Sequence, residues 1–286
     1  MYAITAATGR LGRLVVAALL KNQVPPKQIV AAVRSPDKAA ELAAQGVVVR
    51  KADYDQPDTL RTALSGVEKV LLISGNDLGR RVQQHRSVLE AARLAGVRVV
   101  AYTSVLHADS SVLSVADTHR RTEADLREAG LAHVLLRNGW YFENYTASVP
   151  AVLASGELVG CSQDGRISAA ARADYADAAV AALTAADDRR ERIYELAGDS
   201  AFTRSEFAAE LSRQSGKTIP YRNLAEADYR AALAASGLPD FVAELLAKFD
   251  TAAARGALVD NGRQLSGLIG RPTTTLSQAI AAALRG

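Results

Sequence analysis

The chain has 286 residues, and its 34 Lys and Arg residues against 31 Asp and Glu residues leave a formal net charge of +3. Its 49% hydrophobic and 23% charged residues are typical of a globular protein and exclude a disordered or fibrous one. The small net charge provides no strong field for nucleic acid or for an anionic membrane surface, and the length predicts one large domain or two modest ones.

Short apolar runs, the first residues, and few cysteines and histidines exclude a membrane protein, a secreted protein and a metal-binding protein. The apolar run at 14–20 is far shorter than the roughly 20 residues of a membrane helix, and the first residues lack the basic region of a signal peptide. One cysteine, Cys161, forms neither an internal disulfide nor a zinc site, and the four histidines are scattered. We therefore expect a cytoplasmic protein without a metal, whose chemistry comes from a small molecule or from oxygen and nitrogen side chains.

Short apolar segments alternate with longer amphipathic ones over residues 2–137. Several apolar segments, such as VLLIS and VVAYTS, are almost continuous, which indicates strands buried on both faces of a parallel sheet. The predicted fold class is therefore α/β, with a Rossmann doubly wound parallel sheet. The predicted strands are 2–5, 29–33, 47–50, 69–74, 99–104 and 132–137, and helices follow the turn at 6–12, begin at a Ser-Pro-Asp start at 35–37, and cover 79–94 and 117–129.

The alternation weakens beyond residue 145. Strands are predicted at 166–171 and 193–197, with a helix at 174–185 between them, and the alanine-rich remainder predicts helices at 203–214, 225–236, 239–248 and from 275 onward. We predict that residues 1–145, with the strand near 193–197, form the sheet domain. Residues 146–286 are then a smaller, mostly helical lobe that closes a substrate cleft.

The turn Ala6–Gly12 (AATGRLG) joins the first strand to the first helix. A helix N-terminus offers free backbone N–H groups and a positive dipole end, which suit a pyrophosphate. Gly9 allows the backbone to approach the phosphate, and Gly12 allows the helix to pack close to the sheet. An ordinary strand–helix turn is the alternative, because Ala6 replaces the first glycine of the usual pattern. The position at the first βα junction favours dinucleotide binding.

The end of the second strand indicates which dinucleotide binds. NAD-specific proteins place an acid about 20 residues after the turn to bind the ribose 2′-hydroxyl, whereas this chain has Arg34. A guanidinium suits a 2′-phosphate in charge and geometry, so NADPH is favoured over NADH. Asp37 is explained more simply by helix capping. A solvated surface position is the alternative for Arg34.

The ends of the other strands extend the candidate site, because ligands of open α/β sheets collect at these ends. Asp53 and Tyr54 follow the third strand and are expected to flank an adenine. Ser74, Gly75 and Asn76 follow the fourth strand, where the glycine admits the middle of the cofactor. A plain turn is the alternative for Gly75 and Asn76.

The segment 137–145 (RNGWYFENY) follows the sixth strand and holds four aromatic residues, including the one tryptophan of the chain. Aromatic faces suit a nicotinamide or another planar ring, and amides donate to carbonyl groups, so we predict that Tyr141 and Asn144 contact a substrate. The alternative is that Trp140, Phe142 and Tyr145 anchor the C-terminal lobe.

Taken together, these segments resemble the NmrA-like atypical short-chain dehydrogenases/reductases, and in particular their bacterial quinone oxidoreductases. The resemblance implies a Rossmann domain, a small C-terminal lobe, NADPH as cofactor and a quinone as hydride acceptor. It also implies cofactor contacts at the turn, at Arg34, at 74–76 and at 139–144. It is carried by ITAATGRLG, VRSPDKA, KADYDQPDTL, LLISGND, LLRNGWYFENY and GRPTTTLSQAI, which span nearly the whole chain.

The chain departs from expected patterns in two places. Members of the family usually carry glycine where this chain has Ala6, so a positive φ at that position would lower cofactor affinity. Ordinary short-chain dehydrogenases use a Tyr-x-x-x-Lys pair on the helix after the fifth strand, whereas this chain reads DTHRRTE at 117–123. Ser104 ends the fifth strand, where those enzymes keep a serine, but it has no partner tyrosine.

The missing pair separates the candidate reactions. Alcohol oxidation needs a base that accepts the hydroxyl proton as hydride leaves, and such a base raises the rate roughly 10²- to 10⁴-fold. Hydride addition to a quinone gives a delocalised phenolate that water can protonate. The site can therefore act mainly by aligning the nicotinamide ring with the quinone ring. We predict an NADPH-dependent reductase that transfers hydride to a quinone. The alternative is an NADP(H)-binding redox sensor without turnover. A sugar epimerase is disfavoured by the missing tyrosine, and flavin dependence and a homo-oligomeric state are left open.

The predicted site has a catalytic and a cofactor-binding part. Tyr141, Asn144 and His107 form the catalytic part, with His107 placed just beyond the fifth strand to donate a proton. A structural role is the alternative for His107 and His119, and Cys161 is interpreted as a packed thiol. The cofactor-binding residues are Thr8, Gly9, Arg10, Leu11, Gly12, Arg34, Asp53, Tyr54, Ser74, Gly75, Asn76, Thr103, Asn138, Gly139, Trp140, Tyr141, Phe142, Glu143 and Asn144.

Overall fold

The computed structural model describes residues 1–186 and 191–285, which form two compact units. The first unit comprises Met1–Ala108, Asp117–Asn138 and Arg172–Tyr194, and the second comprises Asp109–Ala116, Gly139–Ala171 and Glu195–Gly286. The units therefore interleave along the sequence. The predicted division between residues 145 and 146 stays a prediction.

A seven-stranded sheet dominates the described fold, in the order β3-β2-β1-β4-β5-β6-β8. The pairings of β1 to β6 are parallel. The order in which successive strands are added to the sheet reverses between β1 and β4, and this is the switch point where α/β sheets collect ligands. The strands are β1 Tyr2–Thr5, β2 Ile29–Val33, β3 Val48–Lys51, β4 Lys69–Leu72, β5 Val99–Val105, β6 Ala132–Asn138 and β8 Glu191–Leu196.

The helices of the first unit flank this sheet because its strands are apolar on both faces. Every residue of β2 and β5 is buried, and Leu72, Tyr102 and Leu135 share a core with residues of the helices. The helix α1 packs against α8, and α3 packs against α4. These helices are α1 Arg10–Lys21, α2 Ala40–Ala44, α3 Pro57–Leu64, α4 Arg81–Leu94, α5 Ala116–Glu128 and α8 Arg172–Thr184.

The second unit is mostly helical in its described residues, as predicted. A two-stranded parallel sheet joins β7 (Leu158–Gly160) to β9 (Tyr221–Asn223). Capping boxes begin α9 at Thr203 and α13 at Thr275. The helices are α6 Glu143–Thr146, α7 Val149–Ser155, α9 Arg204–Ser215, α10 Glu226–Ala235, α11 Asp240–Ala254, α12 Gln264–Ile269 and α13 Leu276–Leu284.

Two local predictions are corrected by the structure. The predicted strand at 166–171 is wrong: its amides donate to several segments, such as Ile167 N to the carbonyl of Phe202 and Ser168 N to that of Leu258. No single neighbour runs alongside it, so no ladder forms. The predicted helix start at 35–37 is a 3₁₀ turn, Pro36–Ala39, and the Ser35 side chain makes no capping bond.

Two kinds of feature are absent from the described residues. No helix there is both long and apolar enough to cross a membrane. No group of three or more His, Cys, Asp and Glu side chains in the same part of the chain is placed to hold a metal ion.

Candidate cofactor site

A cavity of about 620 Å³ lies in the first unit at the carboxyl ends of β1 to β4. Its volume is within the range of small-molecule and cofactor sites. The structure brings to its wall eight of the predicted cofactor residues: Thr8, Gly9, Arg34, Asp53, Tyr54, Ser74, Gly75 and Asn76. Sequence reasoning did not assign six further polar residues of the wall: Ser35, Lys38, Asp55, Asp77, Arg80 and Gln84.

The turn after β1 has the compact shape that a phosphate-binding turn requires. The N–H of Gly9 donates to the carbonyl of Ala6 at 2.8 Å. A Cβ on Gly12 would lie 2.4 Å from that oxygen and 2.7 Å from the Cα of Ala7, so only glycine fits there. Helix α1 follows directly, without a side-chain cap at Gly9 or an acid in its first turn. Its N-terminal amides therefore remain suited to an anionic ligand.

Ala6 adopts a left-handed backbone conformation, with φ at 47°. The Cβ of an L-residue crowds the following carbonyl in this region, at a cost of roughly 1 kcal/mol, whereas glycine has no such cost. The position therefore does need a positive φ, and alanine holds it under strain.

Two cations face the cavity where β2 ends. Arg34 and Lys38 are both exposed wall residues, and within residues 1–186 and 191–285 neither side chain has a carboxylate partner. Arg13 fixes the segment that carries them: its Nε donates to the carbonyl of Thr8 at 3.2 Å, and its Nη2 donates to that of Lys38 at 3.1 Å. Two positive charges without a carboxylate partner among the described residues lie beside a turn suited to a pyrophosphate. They suit a further phosphate group of the same ligand.

Tyr54 lines the cavity, and its hydroxyl is held by groups of β1 and of the loop after β4. Its hydroxyl donates to Thr5 Oγ1 at 2.5 Å and lies 3.0 Å from the carbonyl oxygen of Ile73. Burial raises the pKa of this hydroxyl well above its usual range, so it stays protonated. Asp53 accepts from the N–H of Asp55 at 3.1 Å, which shapes the loop after β3.

The part of the cavity wall formed by the loops after β3 and β4 is held by charged and amide side chains. Arg80 Nη1 donates to Asp55 at 3.0 Å and its Nε donates to Asp77 at 2.7 Å, while Gln84 donates to both oxygens of Asp55 at 3.1 Å. These bonds join the loop after β3 to the loop after β4. Both carboxylates are thus paired and do not oppose an anionic cofactor with free charge.

Thr103 supports the site from behind. It is 3% exposed, and its Oγ1 accepts from the backbone N–H of Ser74 at 2.9 Å and donates to Ser74 Oγ at 3.3 Å. We interpret its predicted cofactor role as an indirect one, through Ser74.

Helix α5, which carries neither tyrosine nor lysine, places His119 and Glu123 in buried hydrogen bonds. Ser104 Oγ donates to Glu123 at 2.6 Å, and Arg137 binds the same carboxylate at 3.0 and 2.6 Å. His119 lies between Arg81 and Tyr102. Burial, together with Arg81, lowers the pKa of His119 to about 3. These contacts favour the structural alternative for His119.

The remaining predicted residues of the first unit lie off the cavity wall. Arg10, Leu11 and Gly12 form the first turn of α1. Asn138 is buried at the end of β6, where its carbonyl accepts from the N–H of Leu106 at 3.0 Å. His107 is half-buried two residues beyond β5, with φ at 52°. Its catalytic role stays a prediction.

The predicted segment at 139–144 belongs to the second unit. Backbone bonds tie it to Ala170, whose carbonyl accepts from Phe142 N at 2.9 Å and whose N–H donates to Trp140 O at 3.1 Å. Phe142 is 2% exposed and stacks on Phe202, with ring centroids 5.5 Å apart. Its ring has no face left for a ligand, so packing explains this side chain.

Other members of that segment remain accessible. Asn144 is exposed, Tyr141, Gly139 and Glu143 are half-buried, and Trp140 meets Phe249 edge-on with centroids 4.7 Å apart. Tyr141 and Asn144 thus have surface accessible to a ligand, and their catalytic roles stay predictions.

A second cavity, of about 640 Å³, lies in the second unit between α9 and α13. Its charged side chains are engaged, as in the pair of Arg213 with Glu210 at 2.6 Å. Elsewhere in this unit burial raises the pKa of the Cys161 thiol to about 11, as expected for a packed cysteine.

Known proteins match the chain over most of its length. A family model described as NAD(P)H-binding matches residues 6–186. Quinone oxidoreductase 2 of Escherichia coli is 53% identical over 280 residues, 98% of this chain and 97% of that protein. An NmrA-like family domain-containing oxidoreductase of Aspergillus flavus is 34% identical over 232 residues, 77% of this chain and 73% of that protein.

A solved structure agrees with the sequence matches. The NADPH-dependent quinone oxidoreductase of Escherichia coli, complexed with NADPH, has a TM-score of 0.96 and 52% identity, and the match covers 99% of this chain and 100% of that one. The predicted α/β fold, the resemblance to NmrA-like proteins and the nicotinamide cofactor are thereby confirmed. The chain belongs to the NAD(P)H-binding family, and within it to the NmrA-like oxidoreductases.

Proposed function

We propose that the chain is an NADPH-dependent reductase that transfers hydride to a quinone. The observation that carries the proposal is the unpaired guanidinium of Arg34 on the wall of the cavity where β1 to β4 end. A 2′-phosphate is the part of NADPH that NADH lacks, and a free guanidinium matches its charge and oxygen geometry. The Escherichia coli relative, whose description names both NADPH and quinone, supports the same function.

The residues present fit the cofactor. The amides at the start of α1 suit its pyrophosphate, Arg34 and Lys38 suit its 2′-phosphate, and Tyr54 is a wall residue suited to flank its adenine. Asp55 and Asp77 are both paired with Arg80, and Asp53, the third carboxylate of the wall, accepts the N–H of Asp55. When bound there, NADPH supplies the hydride.

The polar groups of α5 fit a reaction that needs no tyrosine–lysine pair. Glu123 is committed to Ser104 and Arg137, and His119 to Arg81 and Tyr102. A quinone product is a stabilised phenolate, so its protonation does not require a strong acid held in the site. We propose that Tyr141 and Asn144 orient the quinone and that His107 donates the proton. A cytoplasmic location and a homo-oligomeric state stay predictions.

Steady-state consumption of NADPH with a small benzoquinone tests this function. We expect turnover on the order of 10 per second, the median of known enzymes, followed by the loss of NADPH absorbance. Asn144→Ala is expected to raise the KM for the quinone and to leave the Kd for NADPH unchanged, because Asn144 is assigned to the quinone. The controls are protein-free mixtures and the same assay with NADH.

Failure has a distinct signature for each part of the proposal. Tight NADPH binding without acceleration across several quinones would reject the reductase and support the redox-sensor alternative. Absence of NADPH binding would reject the cofactor assignment as well.

A further inference from the structure

The loop that follows β4 is held by side chains instead of by a strand ladder. Three successive backbone N–H groups each donate to a different element: Ile73 to Thr5 Oγ1 at 2.9 Å, Ser74 to Thr103 Oγ1 at 2.9 Å, and Gly75 to His85 Nε2 at 3.1 Å. The carbonyl of Gly75 accepts from Arg81 Nε at 2.7 Å. Both polar atoms of the Gly75 residue are therefore bound from α4.

The hydrogen bonds determine the tautomer of His85. Because the Gly75 N–H donates to Nε2, the ring proton is on Nδ1, which donates to Thr122 Oγ1 at 2.9 Å. Thr122 in turn donates to the carbonyl of Thr118 at 3.0 Å. Burial, together with Arg81, lowers the pKa of His85 to about 3, so the ring is neutral and its Nε2 lone pair is available.

Arg81 is fixed by the same buried set of groups. Besides Gly75, its guanidinium donates to Thr118 Oγ1 at 3.0 Å and to His119 Nε2 at 3.2 Å. His119 then carries its proton on Nδ1 and donates to Tyr102 Oη at 2.7 Å. Arg81 thus makes three hydrogen bonds and His85 makes two, so the two side chains that hold Gly75 have little freedom to move.

We propose that His85 and Arg81 are positioning residues that fix the Gly75 peptide and thereby preform the cavity wall for the cofactor. The inference rests on the proposed function, since the loop after β4 matters only if the cofactor lies against it. A loop already held in its bound shape has less conformational entropy to lose on binding. Holding the loop therefore lowers the Kd for the cofactor. Gly75 itself has little spare room, since a Cβ there would lie 3.3 Å from Gln84 Oε1.

A matched pair of substitutions at His85 separates this role from a general contribution to stability. Glutamine in His85→Gln places an amide oxygen near the position of Nε2 and keeps an acceptor for Gly75. Asparagine in His85→Asn reaches only the position of Nδ1, so it keeps the bond toward Thr122 and loses the one to Gly75. Both remove the ring that meets Tyr102 edge-on, with centroids 5.4 Å apart.

We expect the Kd for NADPH to rise about tenfold in His85→Asn and less than about threefold in His85→Gln, with kcat at saturating NADPH unchanged. Equal losses in the two variants, in proportion to their losses of unfolding free energy, would overturn the proposal. Wild-type affinity in both would overturn it too. If the wild-type protein itself fails to bind NADPH, the proposed function fails instead.

Amide hydrogen exchange of residues 73–80, measured without cofactor, tests the positioning independently of binding. We expect exchange in this segment to speed up about tenfold in His85→Asn, with β5 unchanged. If His85→Asn does not fold, Arg81→Lys serves instead, because it keeps a positive charge and lacks the Nε–H that reaches Gly75. Unchanged exchange in whichever variant folds would contradict the proposal.

Discussion

Replacing Arg34 by alanine is expected to raise the Kd for NADPH by about 30-fold while changing that for NADH by less than about twofold. A charge-assisted bond to phosphate contributes about 2 kcal/mol, which corresponds to this factor. Arg34 has no competing partner among residues 1–186 and 191–285, so its whole interaction is available to the cofactor. Equilibrium binding, followed by cofactor fluorescence or calorimetry, measures both constants.

Two further variants sharpen the test of Arg34. Arg34→Lys keeps the charge but not the planar fork, so an intermediate loss of NADPH affinity is expected. Arg93→Ala is the matched control, because Arg93 is an exposed arginine of α4 that pairs with Glu90 away from the cavity. Equal weakening of NADPH and NADH by Arg34→Ala would remove the 2′-phosphate assignment.

Replacing Glu123 by alanine is expected to lower the free energy of unfolding by about 3–5 kcal/mol, because it removes a buried carboxylate that a buried guanidinium binds. Glu123 is 1% exposed and Arg137 is 3% exposed. The carboxylate accepts two bonds from Arg137 and one from Ser104, so three donors would lose their acceptor together. Urea unfolding at neutral pH measures the loss.

The same substitution in an exposed pair provides the control for Glu123. Glu90→Ala breaks a pair with Arg93 on the surface of α4, and the free energy of unfolding is expected to stay within measurement error. A similarly small effect of Glu123→Ala would show that Arg137 finds other partners, and would contradict the role assigned to the buried pair.

The sheet was predictable from the sequence because strands buried on both faces are nearly continuous apolar runs. The segments around 29–33 and 99–104 differ from the observed β2 and β5 by at most one residue at an end. Helix α3 was not predicted, since its Pro-Asp-Thr start lies in a polar stretch that reads as a loop. The strand expected at 166–171 failed for a different reason. Ile167 is its one β-branched residue, alanine is not typical of strands, and its amides find partners in several segments.

The cavity was predictable to the extent that strand ends define it. Arg34, Asp53 and Ser74 each follow a strand, and topology alone brings such residues to one edge of the sheet. Lys38 and Arg80 lie a few residues further along, where only the observed course of the loops places them on the wall. The roles of His85 and Arg81 were not predictable, because they depend on buried partners from α5 that are distant in sequence.

A crystal structure with NADP⁺ bound tests the central claim most directly. The account predicts the 2′-phosphate within hydrogen-bonding distance of the Arg34 guanidinium, the pyrophosphate at the N-terminal amides of α1, and the loop at Gly75 unchanged from its present shape. A cofactor bound elsewhere, or one whose 2′-phosphate makes no contact with Arg34, would contradict it.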